Sequence, residues 1–348
     1  CLCSLSHILI CKLLLSTQKL IRINSFFLGS CSADIDEVKF SALIENFIQN
    51  IETNITAAKQ HDSLPAEELD KYYNEIIVTF QKLTDILGKA EHAYAFLQAK
   101  GADRIITPNM DLEDKNVQEH VLLTLKTLFD AIPTTTSGMI PITTLDNLLE
   151  LFEKDNNLAM KTHVLDILYL WLPGNPKIQV RVMKLKGLEP FYRQISKLDT
   201  SVITVLLELF NKLLLEHINV RNQTKLRNTM DPDRLLLYQR IGLIERLSTP
   251  PVCKGLLNIF QSMYSYTNDY NDVIAPVFDL IKTIRPYCMK IYKKKGKAIE
   301  VFEALSKYAH DDSKREYFEG LDLNVTDINI VLDEFIEELK RPLPKDEF

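Results

Sequence analysis

Nearly every stretch between the glycines and prolines of this chain repeats its apolar residues at intervals of three and four. In residues 118–132, Val121, Leu122, Leu125, Leu128, Phe129 and Ile132 draw one stripe along one helical face. The same spacing predicts helices over 66–87, 144–153, 158–172, 268–284 and 297–309. No segment alternates apolar and polar residues convincingly, so the expected class is all-α. Residues 201–216 depart from the one-stripe pattern. Val202, Ile203, Val205, Leu206, Leu207, Leu209, Phe210, Leu213, Leu214 and Leu215 cover most of the circumference, and such a helix needs neighbours on two sides. A narrow polar edge remains, carrying Thr204, Glu208, Asn211 and Lys212. Residues 158–172 form a second helix of this kind, with His163 and Asp166 on a polar edge opposite Val164, Leu165 and Leu168.

A longer period underlies the helices. Lys100-Gly101-Ala102 and Lys186-Gly187-Leu188 punctuate the pattern alike, and half of their separation is about 43 residues, the length of one armadillo or HEAT repeat. A boundary near Thr144, after the Pro133–Pro141 break, falls at the midpoint, and further breaks sit at Gly242 and Gly296. An armadillo- or HEAT-like right-handed solenoid accounts for this spacing and for central helices that are apolar on two sides. The expected organisation is a signal or targeting segment over 1–33, an acidic helical arm over 34–89, the repeat domain over 90–341 and an exposed tail over 342–348. Residues 218–234, with Asn219, Asn222, Asn228, Asp231 and Pro232, read as a loop or insertion.

Composition narrows the function. A net charge of −6 disfavours nucleic-acid binding, which needs a basic surface to neutralise phosphates. The Lys290, Lys293–Lys295, Lys297 run reads as a solvated helix end. Only 10 glycines are present, and no phosphate-cradling glycine motif or nucleophile elbow occurs. The seven histidines are scattered, with no His-Glu-x-x-His and no Cys-x-x-Cys pairing at metal spacing. Acid pairs such as Asp311-Asp312 and Glu337-Glu338 sit on polar helical faces and read as solvated charge. The chain therefore reads as a binding protein rather than an enzyme, with no cofactor and no metal.

The ends suggest a compartment. Residues 8–15 and 26–33 read as apolar stretches of a secretory signal, with cleavage expected after Ala33. No run reaches the roughly 18 apolar residues needed to span a bilayer. Lys345-Asp346-Glu347-Phe348 is a near copy of the Lys-Asp-Glu-Leu tail read by a retrieval receptor of the endoplasmic reticulum. Without the leader, the six cysteines reduce to Cys253 and Cys288, for which a bond and two free thiols are both open. Asn54, Asn222 and Asn324 head glycosylation sequons, and Asn222, in the expected loop, is the best placed acceptor.

Several blocks carry a resemblance: Leu158-Ala-Met-Lys-Thr-His-Val-Leu-Asp-Ile-Leu168, then Gln179-Val180, Lys184-Leu-Lys-Gly-Leu188, Met230-Asp-Pro-Asp-Arg-Leu235, Tyr238-Gln239 and Tyr317-Phe-Glu319. Together they resemble the Sil-type nucleotide exchange factors of the endoplasmic reticulum, relatives of the cytosolic armadillo exchange factors. The likeness spans about residues 90–340, and the N-terminal arm and Phe348 match least well. It implies a monomer that clasps the nucleotide-binding domain of BiP, the lumenal seventy-kilodalton (Hsp70-class) heat-shock chaperone, and opens its ADP cleft. The polar edges of the two-sided helices are then the expected contacts: His163, Asp166, Thr204, Glu208, Asn211 and Lys212. The alternatives are a cytosolic exchange factor for the corresponding cytosolic chaperone, and an armadillo scaffold for extended peptides. The scaffold calls for a regular ladder of asparagines, and the central helices offer Asn211 without such a series.

Overall fold

The computed structural model describes residues 25–60, 65–185, 187, 198–222, 229–266, 274–294, 296–321 and 323–342. Within them the chain forms sixteen α-helices with short π and 3₁₀ turns, and no strand. The first helices are α1 (Ser25–Gln60), α2 (Ala66–Leu87) and α3 (Ala90–Gln98), followed by a π turn (Ala102–Ile106) and a 3₁₀ turn (Thr107–Asn109). Next come α4 (Lys115–Ala131), α5 (Pro133–Met139), α6 (Ile142–Lys154), α7 (Leu158–Trp171), α8 (Pro176–Leu185) and α9 (Thr200–Asn222). The chain continues through α10 (Pro232–Ile241), α11 (Leu243–Leu247), α12 (Pro250–Tyr266), α13 (Ile274–Tyr292), α14 (Gly296–Ala309), α15 (Arg315–Gly320) and α16 (Val325–Lys340).

The predicted stripes pack as their spacing requires. On α4, Val117, Val121, Leu122, Leu125, Leu128 and Phe129 are buried. Asp114 starts that helix by accepting the Val117 amide, and Asn157 does the same for α7 through Ala159, each satisfying a donor that the first turn leaves open. Gly101 admits no side chain, because a Cβ there would lie 2.2 Å from the Phe96 ring. Gly242, at φ +57°, makes the left-handed corner between α10 and α11.

Helices α2, α4, α7, α9, α13 and α16 lie side by side in that order, each packed on the next, while the intervening helices form the layer behind them. We call this series the ladder. Polar rungs link its first helices and their neighbours at a nearly constant separation. Thr84 bonds Thr124, 40 residues on, at 2.8 Å. Lys115 pairs with Asp155, also 40 on, at 2.7 Å. In the layer behind, Thr107 bonds Thr144, 37 on, and Asn175 bonds Ser137, 38 back. The repeat inferred from two glycine marks is thus present as recurring side-chain bonds.

Three expectations change. Residues 34–89 are not a separate arm: Ile44, Ile48, Ile51 and Ile55 of α1 and Ile76, Phe80, Leu83 and Leu87 of α2 belong to the same apolar core as the repeats. The loop expected over 218–234 is partly helical. Leu214, His217 and Val220 continue the buried face of α9 to Asn222, and α10 begins at Pro232. The Pro133–Pro141 break holds the short helix α5, with Pro133 in its first turn where a missing N–H is harmless.

Other expectations meet the limits of the described residues. Helix α1 runs unbroken past the expected cleavage point after Ala33. Residues 1–24 and the retrieval-like tail Lys345, Asp346, Glu347 and Phe348 lie outside the described residues. No helix among those described is long and apolar enough to cross a membrane.

The cysteine alternatives resolve to a bond. Cys253 on α12 and Cys288 on α13 are joined, with Cα atoms 5.6 Å apart. Both are fully buried, and the Tyr292 hydroxyl donates to the Cys253 carbonyl beside them at 3.0 Å.

Candidate functional site

All six residues nominated from the sequence fall on α7 and α9, which are neighbours in the ladder. His163 places Nε2 3.5 Å from Glu119 Oε1 on α4. Asp166 faces Lys126 and Asp130 of α4, and burial pushes its carboxyl above the usual range, against the pull of Lys126 and His163. Burial likewise raises the Glu208 carboxyl. Thr204 turns its hydroxyl back to the Thr200 carbonyl of its own helix. Asn211 Oδ1 accepts from the Thr283 hydroxyl of α13 at 2.8 Å, and the Lys212 ammonium sits 4.3 Å from the Tyr169 ring centre on α7. His163, Asn211 and Lys212 thus reach neighbouring helices, whereas Thr204 contributes little beyond its own helix.

A second cluster, which the sequence reading missed, adjoins Lys212. Glu216, one turn further along α9, accepts the Gly174 amide at 2.8 Å, the Gln179 side chain at 3.2 Å and the Tyr238 hydroxyl of α10. Arg234 donates to the Gly174 carbonyl at 2.6 Å. Gln179 also donates to the Leu172 carbonyl and accepts from His217 Nε2 at 2.8 Å, while His217 meets the Tyr238 ring edge-on. Burial lowers His217 to about 4 and, together with Glu216, raises the Tyr238 phenol. The turn between α7 and α8 is therefore held from α9 through its N–H and from α10 through its C=O. A signal did exist, since the four-residue spacing of Thr204, Glu208 and Lys212 continues to Glu216.

Beyond the cluster lies an open groove of about 690 Å³, walled by the end of α7, the following turn, α9 and α10. Lys161, by contrast, is charged but structural. It is only 2% exposed, and its ammonium donates to the Phe152 carbonyl at the end of α6, where a cation complements the helix dipole. Among the described residues no group of three or more His, Cys, Asp or Glu is gathered as a metal site.

The three sequons differ in placement. Asn54 is 8% exposed and its amide nitrogen donates to Asn50 at 3.0 Å, so the folded surface offers a glycan no room there. Asn222 is exposed at the end of α9. Asn324 is exposed and caps α16 through Oδ1, which accepts the Thr326 and Asp327 amides. That cap engages the oxygen and not the nitrogen, the atom that would carry sugar.

No family model and no curated protein matches the chain. Among solved structures, a designed armadillo repeat protein in complex with the peptide (KR)4 is similar at TM-score 0.50 and 12% identity, covering 84% of this chain and 98% of that one. A second designed armadillo repeat protein aligns at TM-score 0.48 and 11% identity, over 85% of this chain and 99% of the other. The fold is accordingly an all-α, armadillo-like helical array. Its candidate site is a polar surface along the α7–α9 seam of the ladder.

Proposed function

We propose that this chain is a Sil-type nucleotide exchange factor that binds the nucleotide-binding domain of BiP in the endoplasmic reticulum lumen through its ladder face. One observation carries the reading. The segments that resemble that family, far apart in sequence, supply Gln179, Arg234 and Tyr238 to a single cluster around Glu216, beside the nominated Lys212. The buried disulfide accords with an oxidising compartment.

The mechanism is selective binding. The ladder grips the conformer of the chaperone whose outer lobe is rotated and whose ADP cleft is open, so ADP leaves and ATP enters. Equal affinity for open and closed conformers would shift nothing, so the contacts must be better made in the open one. No bond is made or broken by the exchange factor.

The test is release of fluorescent ADP from BiP with and without this protein. Acceleration is expected, together with its loss in a Glu208→Lys, Lys212→Glu double variant whose helical circular dichroism is unchanged. Failure of the wild-type chain to accelerate release, even in excess over the chaperone, refutes the assignment. Wild-type rates from the double variant remove these residues from the site. Endoglycosidase sensitivity of the cellular protein separates the lumenal reading from a cytosolic one.

A further inference from the structure

Resting on the reading of the ladder as the partner-binding face, the groove beside the Glu216 cluster has a chemistry that selects its occupant. Lys212 and Arg234 line it together with Tyr169, Gly174 and Leu215, the last 41% exposed. Lys212 is held over the Tyr169 ring and Arg234 against the Gly174 carbonyl. Neither cation forms an ion pair with a carboxylate among the described residues. Glu216 is the one acid among the lining residues, and its oxygens accept from Gly174, Gln179 and Tyr238. The groove thus fixes two positive charges beside exposed apolar surface, and both are positioned before anything binds, which lowers the entropic cost of association.

Charge on the same seam sets a direction. Glu208 lies one turn from Lys212 towards the start of α9, with Asp166 on the neighbouring helix. An anionic ligand is repelled at that end and drawn towards Lys212 and Arg234, where the one lining acid, Glu216, already has its oxygens engaged by Gly174, Gln179 and Tyr238. We propose that the groove receives a short acidic segment of the partner protein, one carboxylate meeting Lys212 and Arg234 and an adjacent apolar side chain covering Leu215. Arginine suits this task because its planar fork can hold one carbonyl while still presenting N–H groups to a carboxylate.

The experiment uses the full chain and a fluorescein-labelled peptide of about ten alternating Asp and Leu residues, read by anisotropy, with an alternating Lys and Leu peptide as control. The acidic peptide should bind, more weakly as salt rises from about 50 to 300 mM because the contact is charge-assisted. Lys212→Glu combined with Leu215→Asn should weaken it about tenfold or more. Lys212→Arg should stay within about twofold, since the charge is kept. Equal binding of both peptides, no binding of the acidic one, or wild-type binding by the folded double variant overturns the proposal. ADP release from BiP, measured in parallel, separates the two ideas. Acceleration by the wild-type chain without acidic-peptide binding discards the groove alone, whereas peptide binding without acceleration discards the chaperone reading.

Discussion

His217 shows how one residue can make the stability of this array depend on pH. It lies on the buried face of α9, donates Nε2–H to Gln179, and is held to about 4 by burial, with Glu245 opposing weakly. An unfolded histidine titrates near 6.5, so between the two values the unfolded chain binds the extra proton and stability falls as pH falls. The loss is absent above about pH 6.5 and amounts to roughly 2 kcal/mol by pH 5. Urea unfolding at pH 7.5 and 5 should show this difference, and His217→Phe should flatten it even if the variant is less stable at both. An undiminished pH slope in the variant would assign the effect to another group. Lys161 stands apart as a buried basic side chain whose nitrogen donates to a carbonyl in the last turn of a helix.

At the scale of elements, α1 is tied to the array in two ways whose sizes differ. Arg104, on the π turn, forks onto Glu52 at 2.8 and 2.6 Å and reaches Glu45 at 3.0 and 2.9 Å. Hydrogen bonds to Glu52 and then Glu45 hold the guanidinium charged, and Arg104 in turn keeps the Glu45 carboxyl below its usual range. Both carboxylates are more than one third exposed, so solvent screens the pairs and Arg104→Ala should cost only about 1 kcal/mol. The isoleucines beneath are fully covered, and Ile48→Ala should cost about 3 kcal/mol through lost burial and a cavity. Urea midpoints and the rate of proteolytic cutting in α1 measure both. A larger effect from Arg104→Ala would mean that the ion pairs, rather than the stripe, dock the helix.

For the molecule as a whole, the Cys253–Cys288 bond is a covalent restraint, among the described residues, on a stack of helices packed on their neighbours. It closes a loop over a sequence separation of 35, which in the chain-entropy account is worth about 4 kcal/mol. The Cys253→Ala, Cys288→Ala double variant should therefore unfold its C-terminal units at lower urea, while α1–α7 keep their hydrogen-exchange protection, because each repeat mainly supports its neighbours. Since both cysteines are buried, dithiothreitol should reduce the bond readily only once urea opens the C-terminal repeats. Mass labelling of the released thiols follows this, and rapid reduction of the native chain would contradict it.

Much of the fold was legible before any coordinates, because helical periodicity and capping are local. The α4 stripe, the two-sided character of α7 and α9, the glycine breaks and the repeat length each follow from residues a few positions apart or from their recurrence. The seam formed by α7 and α9 was legible too, as two narrow polar edges. What depended on residues brought together from 22 to 60 positions apart was not: the pairing of Cys253 with Cys288, the grip of Arg104 on α1, and the convergence of Gln179, Glu216, Arg234 and Tyr238 on one turn. Burial was also decided by assembly, which hid Asn54 and Lys161 although both are polar. Periodicity places a side chain on a face of its own helix, but only the packing of neighbouring helices settles whether that face meets water, a carbonyl or another charge.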